Sequence, residues 1–365
     1  MKTNKLYILI LISVLVANPC FAKGFAIGKK KKNAAVTVWT KEKATKWYAA
    51  QKWVSGCNYQ PATAINPIEM WQAETFDAQT IEKELGWAQE LGFNTMRVYL
   101  SSLVWRANPV SFKTRLNQYL AISSKHKIRT ILVFFDDCWN AESALGKQPD
   151  PSPGVHNSGW VQDPASSLRQ DTTKLFPVLE NYVKDIILTF KNDKRVLMWD
   201  LYNEPGNTNY GDSSLPLLKN VFQWARQVNP SQPLTSAIWC FGCIEITPFQ
   251  TANSDIITYH NYGDEVSQQT SIDILKVHNR PMICTAYMAR KHGSRFENIM
   301  PLLKNNKIGA INKGFVAGKT NTIFAWDEPQ ADKKEPTVWF HDILRPDKTP
   351  FDPKEIELIK KMNGK

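Results

Sequence analysis

The sequence predicts an α/β chain folded as a single (β/α)8 TIM barrel with a long loop after the third strand. Three observations carry this. From about Lys46 onward, short β-branched or aromatic runs alternate with helical patterns, the order expected of parallel strands joined by helical crossovers. No shift in composition across the 365 residues marks a second domain. The apolar run Val196-Leu197-Met198-Trp199 leads into Asn203-Glu204-Pro205, which puts a carboxylate at the carboxyl end of a buried strand, where barrels of this kind hold their chemistry.

The elements follow in order. The first strand is read from Trp53 to Tyr59. A helix begins after Asp77, a good N-cap, carries Ile81, Leu85, Ala88 and Leu91 on one face, and ends at Gly92. Thr95 to Tyr99 is the second strand. A helix with Leu116, Tyr119, Leu120 and Ile122 precedes the third strand, Thr130 to Phe135, which runs into Asp136 and Asp137. The Pro-, Gly- and Asn-rich connection from Cys138 to about Ser167 has the length of a functional loop or lid. Its helix spans about Thr172 to Phe190, with Leu175, Leu179, Val183, Ile186 and Ile187 inward. After the Asn-Glu strand, a helix with Leu217, Val221, Trp224, Ala225 and Val228 stops at Asn229-Pro230. The fifth strand is Leu234 to Trp239, the sixth Ile256 to His260 and the seventh Met282 to Thr285. Either Ile308 to Val316 or Thr322 to Trp326 closes the barrel, the other being a loop or hairpin arm.

The first residues read as an export signal. Lys2 and Lys5 precede an apolar run from Leu6 to Ala17, too short for a membrane span, and Cys20-Phe21-Ala22 suits cleavage after Ala22. Lipidation at Cys20 is the lesser reading, because Asn18-Pro19 suit that site poorly. Residues 1–22 are thus assigned as a signal peptide, 23–45 as a basic disordered leader containing Lys29-Lys30-Lys31-Lys32, and 46–365 as the barrel. Export from a bacterial cell to periplasm, surface or medium is expected. The formal charge is +11, and cleavage leaves about +9, compatible with acidic glycans or, more simply, with a charged surface and basic tail. No nucleic-acid motif and no later transmembrane segment occurs in the sequence. Cys57, Cys138, Cys240, Cys243 and Cys284 remain after cleavage, an odd number that cannot form a complete disulfide framework. The spacing Cys240-Phe241-Gly242-Cys243 lacks a second pair or a His cluster, so a local disulfide or two thiols is expected and no metal.

The strand ends carry the chemistry. Arg97 and Tyr99 end the second strand, Asp136 and Asp137 the third, Asn203 and Glu204 the fourth, and Trp239 the fifth. His260 and Tyr262 follow the sixth, and the seventh ends at Thr285-Ala286-Tyr287. Glycoside hydrolysis needs a proton donor near the leaving oxygen and a second carboxylate for the anomeric carbon. Glu204 suits the first role, and an Asn beside it suits a sugar 2-hydroxyl. Trp139 and Trp160, in the long loop, are either walls of a sugar site or packing that pins the loop. With 13 Trp in the chain, aromatic platforms are plentiful, but Trp is equally a core residue.

With these strand ends in this order, the chain from about Gly56 onward resembles clan A glycoside hydrolases, in particular glycoside hydrolase family 5 and its cellulase-like retaining β-glycosidases. The resemblance implies that Glu204 is the general acid/base, that Asn203 binds the 2-hydroxyl, and that His260 and Tyr262 line the cleavage subsite and hold the nucleophile. Arg97 would keep that nucleophile ionised. An oligo- or polysaccharide substrate, the β configuration and the absence of a cofactor follow from the same likeness.

Two departures matter. Ile283-Cys284-Thr285-Ala286-Tyr287 has the form of the family's seventh strand with Ala at the position of the nucleophilic Glu. Three explanations compete: an engineered knockout in which an active enzyme had Glu replaced at 286, which the intact surroundings favour; a natural glycan-binding pseudoenzyme; or another nucleophile among Glu297, Asp327 and Glu328. The second departure is Lys313, where the family places a Trp as a floor for the sugar. Lys313 is read as contacting an anionic or hydroxyl-rich sugar or as a plain surface lysine, and Trp326 as a replacement platform.

Overall fold

Eight parallel strands form the central ring in the computed structural model, which describes residues 37–329 and 334–365. They are β1 (Ser55–Asn58), β2 (Thr95–Tyr99), β3 (Arg129–Asp136), β4 (Val196–Asn203), β5 (Leu234–Thr235), β6 (Ile257–His260), β7 (Met282–Tyr287) and β8 (Gly309–Asn312). Their order is β5-β4-β3-β2-β1-β8-β7-β6, and a parallel bridge between Ile238 and Tyr259 joins the two ends. This is a (β/α)8 barrel, with helices between successive strands. The closing strand is the one that begins after Ile308: β8 pairs Ala310 with Ser55 and Gly309 with Ile283. Thr322 to Trp326 form no strand and lie in the connection that follows.

The helices cover the sheet with the faces that their apolar spacing requires. The helix Ala78–Glu90, capped by the Asp77 carboxylate on the Thr80 N–H, buries Ile81, Leu85 and Ala88. The helix Thr172–Phe190 buries seven residues, from Leu175 to Phe190. Each fully buried Leu or Ile contributes roughly 1.5–3 kcal/mol. Among the described residues no helix is long and apolar enough to cross a membrane.

One boundary moves. The signal peptide and most of the leader lie outside the described residues, but part of the segment read as disordered is a helix, Lys41–Ala49, capped by Thr40. Its Ala44 is fully buried, and Trp47 and Tyr48 pack with it against Val54, Ile256, Ile283 and Ile311. The helix therefore stoppers the amino-terminal end of the barrel. The two aromatic residues that anchor it, Trp47 and Tyr48, fall just past the assigned boundary.

Above this apolar floor the barrel interior turns polar. The Arg97 guanidinium, fully buried, meets Asp200 at 2.7 Å and also donates to Asn58 Oδ1, the Tyr99 hydroxyl and Asn203 Oδ1. A buried charge holds its place only when paired and hydrogen-bonded, and here every direction of the guanidinium is used. This layer supports the carboxyl ends of β2 and β4 from below.

Candidate active site

Glu204 follows β4 with φ of 45°, a left-handed conformation that few non-glycine residues adopt. The turn beyond it is held by Asp137. That carboxylate accepts from the Gly206 N–H, the Ser214 hydroxyl and the Tyr202 hydroxyl, and pairs with Arg169 at 2.6 Å. Asp137 is fully buried and does not line the cavity; it anchors the Glu204 turn.

The Glu204 carboxylate receives three donors. His260 Nδ1 lies 2.6 Å from Oε1, while the Asn207 amide and the Cys138 thiol reach Oε2 at 2.6 and 3.1 Å. Burial alone would raise its pKa, but the hydrogen bond and charge of His260, with Cys138 and Asn207, hold it down to about 2. Burial, with Asp136 and Glu204 nearby, pushes the Cys138 thiol up, so the thiol is the donor in its contact. Asn203 is oriented by Arg97 and Tyr99 at its oxygen and by Asp136 at its amide. Asp136 also accepts from the Trp160 indole at 2.8 Å and the Cys138 N–H; burial lifts it to about 6.

These groups face a cavity of about 750 Å³ at the carboxyl end of the barrel. Of the residues singled out from sequence, Asp136, Trp139, Trp160, Asn203, Glu204, Trp239, His260, Tyr262, Lys313 and Trp326 line it. Trp160 is buried and packs edge-on to Tyr99 at 5.0 Å, so it both pins the loop and walls the cavity, while Trp139 stands 43% exposed at the rim. Trp326 packs against Tyr262 at 5.0 Å and Phe340 at 4.6 Å. Lys313 follows β8 and extends its ammonium over the rings of Trp160 and Tyr99.

Arg97 and Tyr287 stand elsewhere. Arg97 lies beneath the floor of the cavity, spent on Asp200, Asn58, Tyr99 and Asn203. Tyr287 points to the helical side and packs on Phe296 at 6.1 Å. A register irregularity explains this: β7 spends one more residue than β6 and β8 between Cys284 and its end. The same irregularity pairs Ala286 with His260. Neighbours in a ladder share a face, so the Ala286 methyl lies on the side of the sheet that carries the His260 ring. Ala286 is fully buried and is not among the residues that line the cavity. The remaining nitrogen of that ring, Nε2, is buried without a hydrogen-bond partner among the described residues.

Among the cavity residues that escaped the sequence reading are the two further donors to Glu204, Cys138 and Asn207. Their only signal is spacing, two residues after Asp136 and three after Glu204. The alternative carboxylates are far from this arrangement in kind. Glu297 is exposed on the helix Phe296–Asn305, Asp327 pairs with His292, and Glu328 pairs with Lys291.

No protein-family model matches the chain, and no curated protein matches it. Solved structures do. The endo-β-1,4-mannanase of Thermotoga petrophila superposes with a TM-score of 0.57 at 13% identity, over 87% of this chain and 77% of that one. A glutamate-to-alanine variant of a GH5_18 protein from Streptomyces cattleya, in complex with Manβ1-4GlcNAc, gives 0.60 at 11%, over 85% and 80%. A glycoside hydrolase family 5 mannosidase from Rhizomucor miehei gives 0.55 at 13%, over 86% and 92%. At such identities the likeness is one of fold, and the chain shares the (β/α)8 barrel of the family 5 mannanases and mannosidases.

Proposed function

We propose that the chain is a retaining β-glycoside hydrolase scaffold acting on an oligo- or polysaccharide, with the nucleophile position occupied by Ala286 in place of Glu. The observation that supports this best is the pairing of Ala286 with His260, whose ring is hydrogen-bonded to Glu204. A carboxylate on residue 286 would share the sheet face of that ring. Double displacement requires two carboxyl groups about 5–5.5 Å apart.

With Glu at 286, that side chain attacks the anomeric carbon while Glu204 delivers a proton to the leaving oxygen. Glu204 then takes a proton from the water that releases the sugar. Asn203, fixed by Arg97 and Asp136, meets the 2-hydroxyl. A second carboxylate beside Glu204 would also raise its pKa, supplying the protonated acid that the first step needs. In the present chain the donors around Glu204 keep it ionised, which suits the base of the second step only. The chain as it stands therefore binds a glycoside and turns it over poorly.

Ala286 itself favours a second reading, a glycan-binding protein without catalysis. Azide separates the two. Added with a panel of dinitrophenyl β-glycosides, it is expected to give an α-glycosyl azide, the small anion taking the place of the carboxylate; no azide product from any member of the panel supports the binding protein.

A further inference from the structure

Lys313 is a cavity lysine that makes no direct ion pair among the described residues, with Asp136 and Glu204 acting on it only at longer range. Its ammonium lies 5.2 Å from the centre of the Trp160 ring and 6.0 Å from that of Tyr99. No carboxylate among the described residues comes within 4.0 Å of it. The two nearest in the cavity are already engaged: Asp136 by Asn203, Trp160 and the Cys138 N–H, and Glu204 by His260, Asn207 and Cys138. The rings that hold the ammonium are themselves fixed, Trp160 through Asp136 and Tyr99 through Arg97 and Asn203. Cation–π contact thus sets its position without supplying an acceptor for its three N–H groups. Lys313 is half-buried; burial pushes its pKa down while the charges of Asp136 and Glu204 act to raise it.

Sugar hydroxyls could accept those hydrogen bonds, but a half-buried cation without a direct ion pair gains most from an anion. We infer that Lys313 is a specificity residue whose ammonium binds a carboxylate on the sugar in this cavity, making the substrate an acidic, uronic-acid-containing glycan. This rests on the reading of the cavity as a glycoside site. Lys313 reaches the cavity over the ring of Tyr99, whose hydroxyl contacts Asn203, so the C5 carboxylate would be held across the ring from the 2-hydroxyl.

The test is calorimetric titration of the present chain with oligosaccharides of glucuronic, galacturonic and mannuronic acid, each beside its carboxyl-reduced counterpart. At least one acidic oligosaccharide is expected to bind about tenfold or more tightly than its reduced form, the margin of a charge-assisted hydrogen bond. Lys313→Gln should erase that difference, and Lys313→Arg should keep part of it, which guards against a folding defect. Equal binding of the two forms, equal weakening of both by Lys313→Gln, or no binding of any acidic member overturns the inference. Hydrolysis by Ala286→Glu is read separately: a Lys313-dependent carboxylate preference without hydrolysis leaves the inference standing and removes the hydrolase reading. Hydrolysis confined to the reduced oligosaccharides does the reverse.

Discussion

His260 Nδ1 and Glu204 Oε1 lie 2.6 Å apart, a buried contact between the ends of two strands, β6 and β4, that are not neighbours in the sheet. It ties the Glu204 carboxylate to the strand that pairs with residue 286. With Asn207 and Cys138 it also holds the carboxylate down to about 2, against an ordinary value of 4.5. A folded-state value below the unfolded one adds stability above pH 4.5 that is lost as the pH falls toward 2. Carbon-13 NMR of labelled glutamate should therefore find Glu204 ionised down to about pH 2 in the present chain, and should find its titration moved upward in Ala286→Glu.

Cys138 supplies one of the donors on Glu204 Oε2, at 3.1 Å. Cys138→Ala should raise the Glu204 titration by about half to one pH unit, the worth of one hydrogen bond. Cys138→Ser, which keeps a donor, should restore it. An unchanged titration in the alanine variant would mean that the thiol contact carries no energy.

Asp137→Asn leaves Arg169 without its partner and weakens the brace on the Glu204 turn. Breaking a buried pair from one side costs about 3–5 kcal/mol, so urea unfolding should show a loss of that order. Asp137, read among the strand-end residues that carry the chemistry, instead braces the turn that holds Glu204.

The two loop tryptophans should separate. Trp139→Ala, at the exposed rim, should weaken glycan binding about threefold to tenfold and leave the melting temperature nearly unchanged. Trp160→Ala should cost about 3–5 kcal/mol of stability, because it empties a packed position and removes a hydrogen bond to Asp136.

Where apolar period and punctuation agree, the chain was legible. β2 spans Thr95–Tyr99 and the helix after the long loop spans Thr172–Phe190, as read from sequence. Both have sharp borders, Gly92 before the strand and the Asp171 cap before the helix. The eighth strand was ambiguous because two short runs had equal β character, and only ladder partners on both sides separate them. At the site, strand order told which residues reach the barrel mouth but not which way they face. Tyr287 turned outward because one extra residue in β7 changes the alternation, a feature with no residue-type signature. Arg97 and Asp137 sit at strand ends as expected, yet their charges are consumed by buried partners that lie far away in sequence, Asp200 and Arg169.

The central claim is that residue 286 and Glu204 flank one anomeric carbon. Proton NMR of the sugar first released by Ala286→Glu from a β-linked oligosaccharide tests it most directly. The account predicts hydrolysis far above that of the present chain, with the β anomer appearing first and mutarotating afterward. No gain in hydrolysis across acidic and neutral β-linked oligosaccharides, or first release of the α anomer, would contradict it.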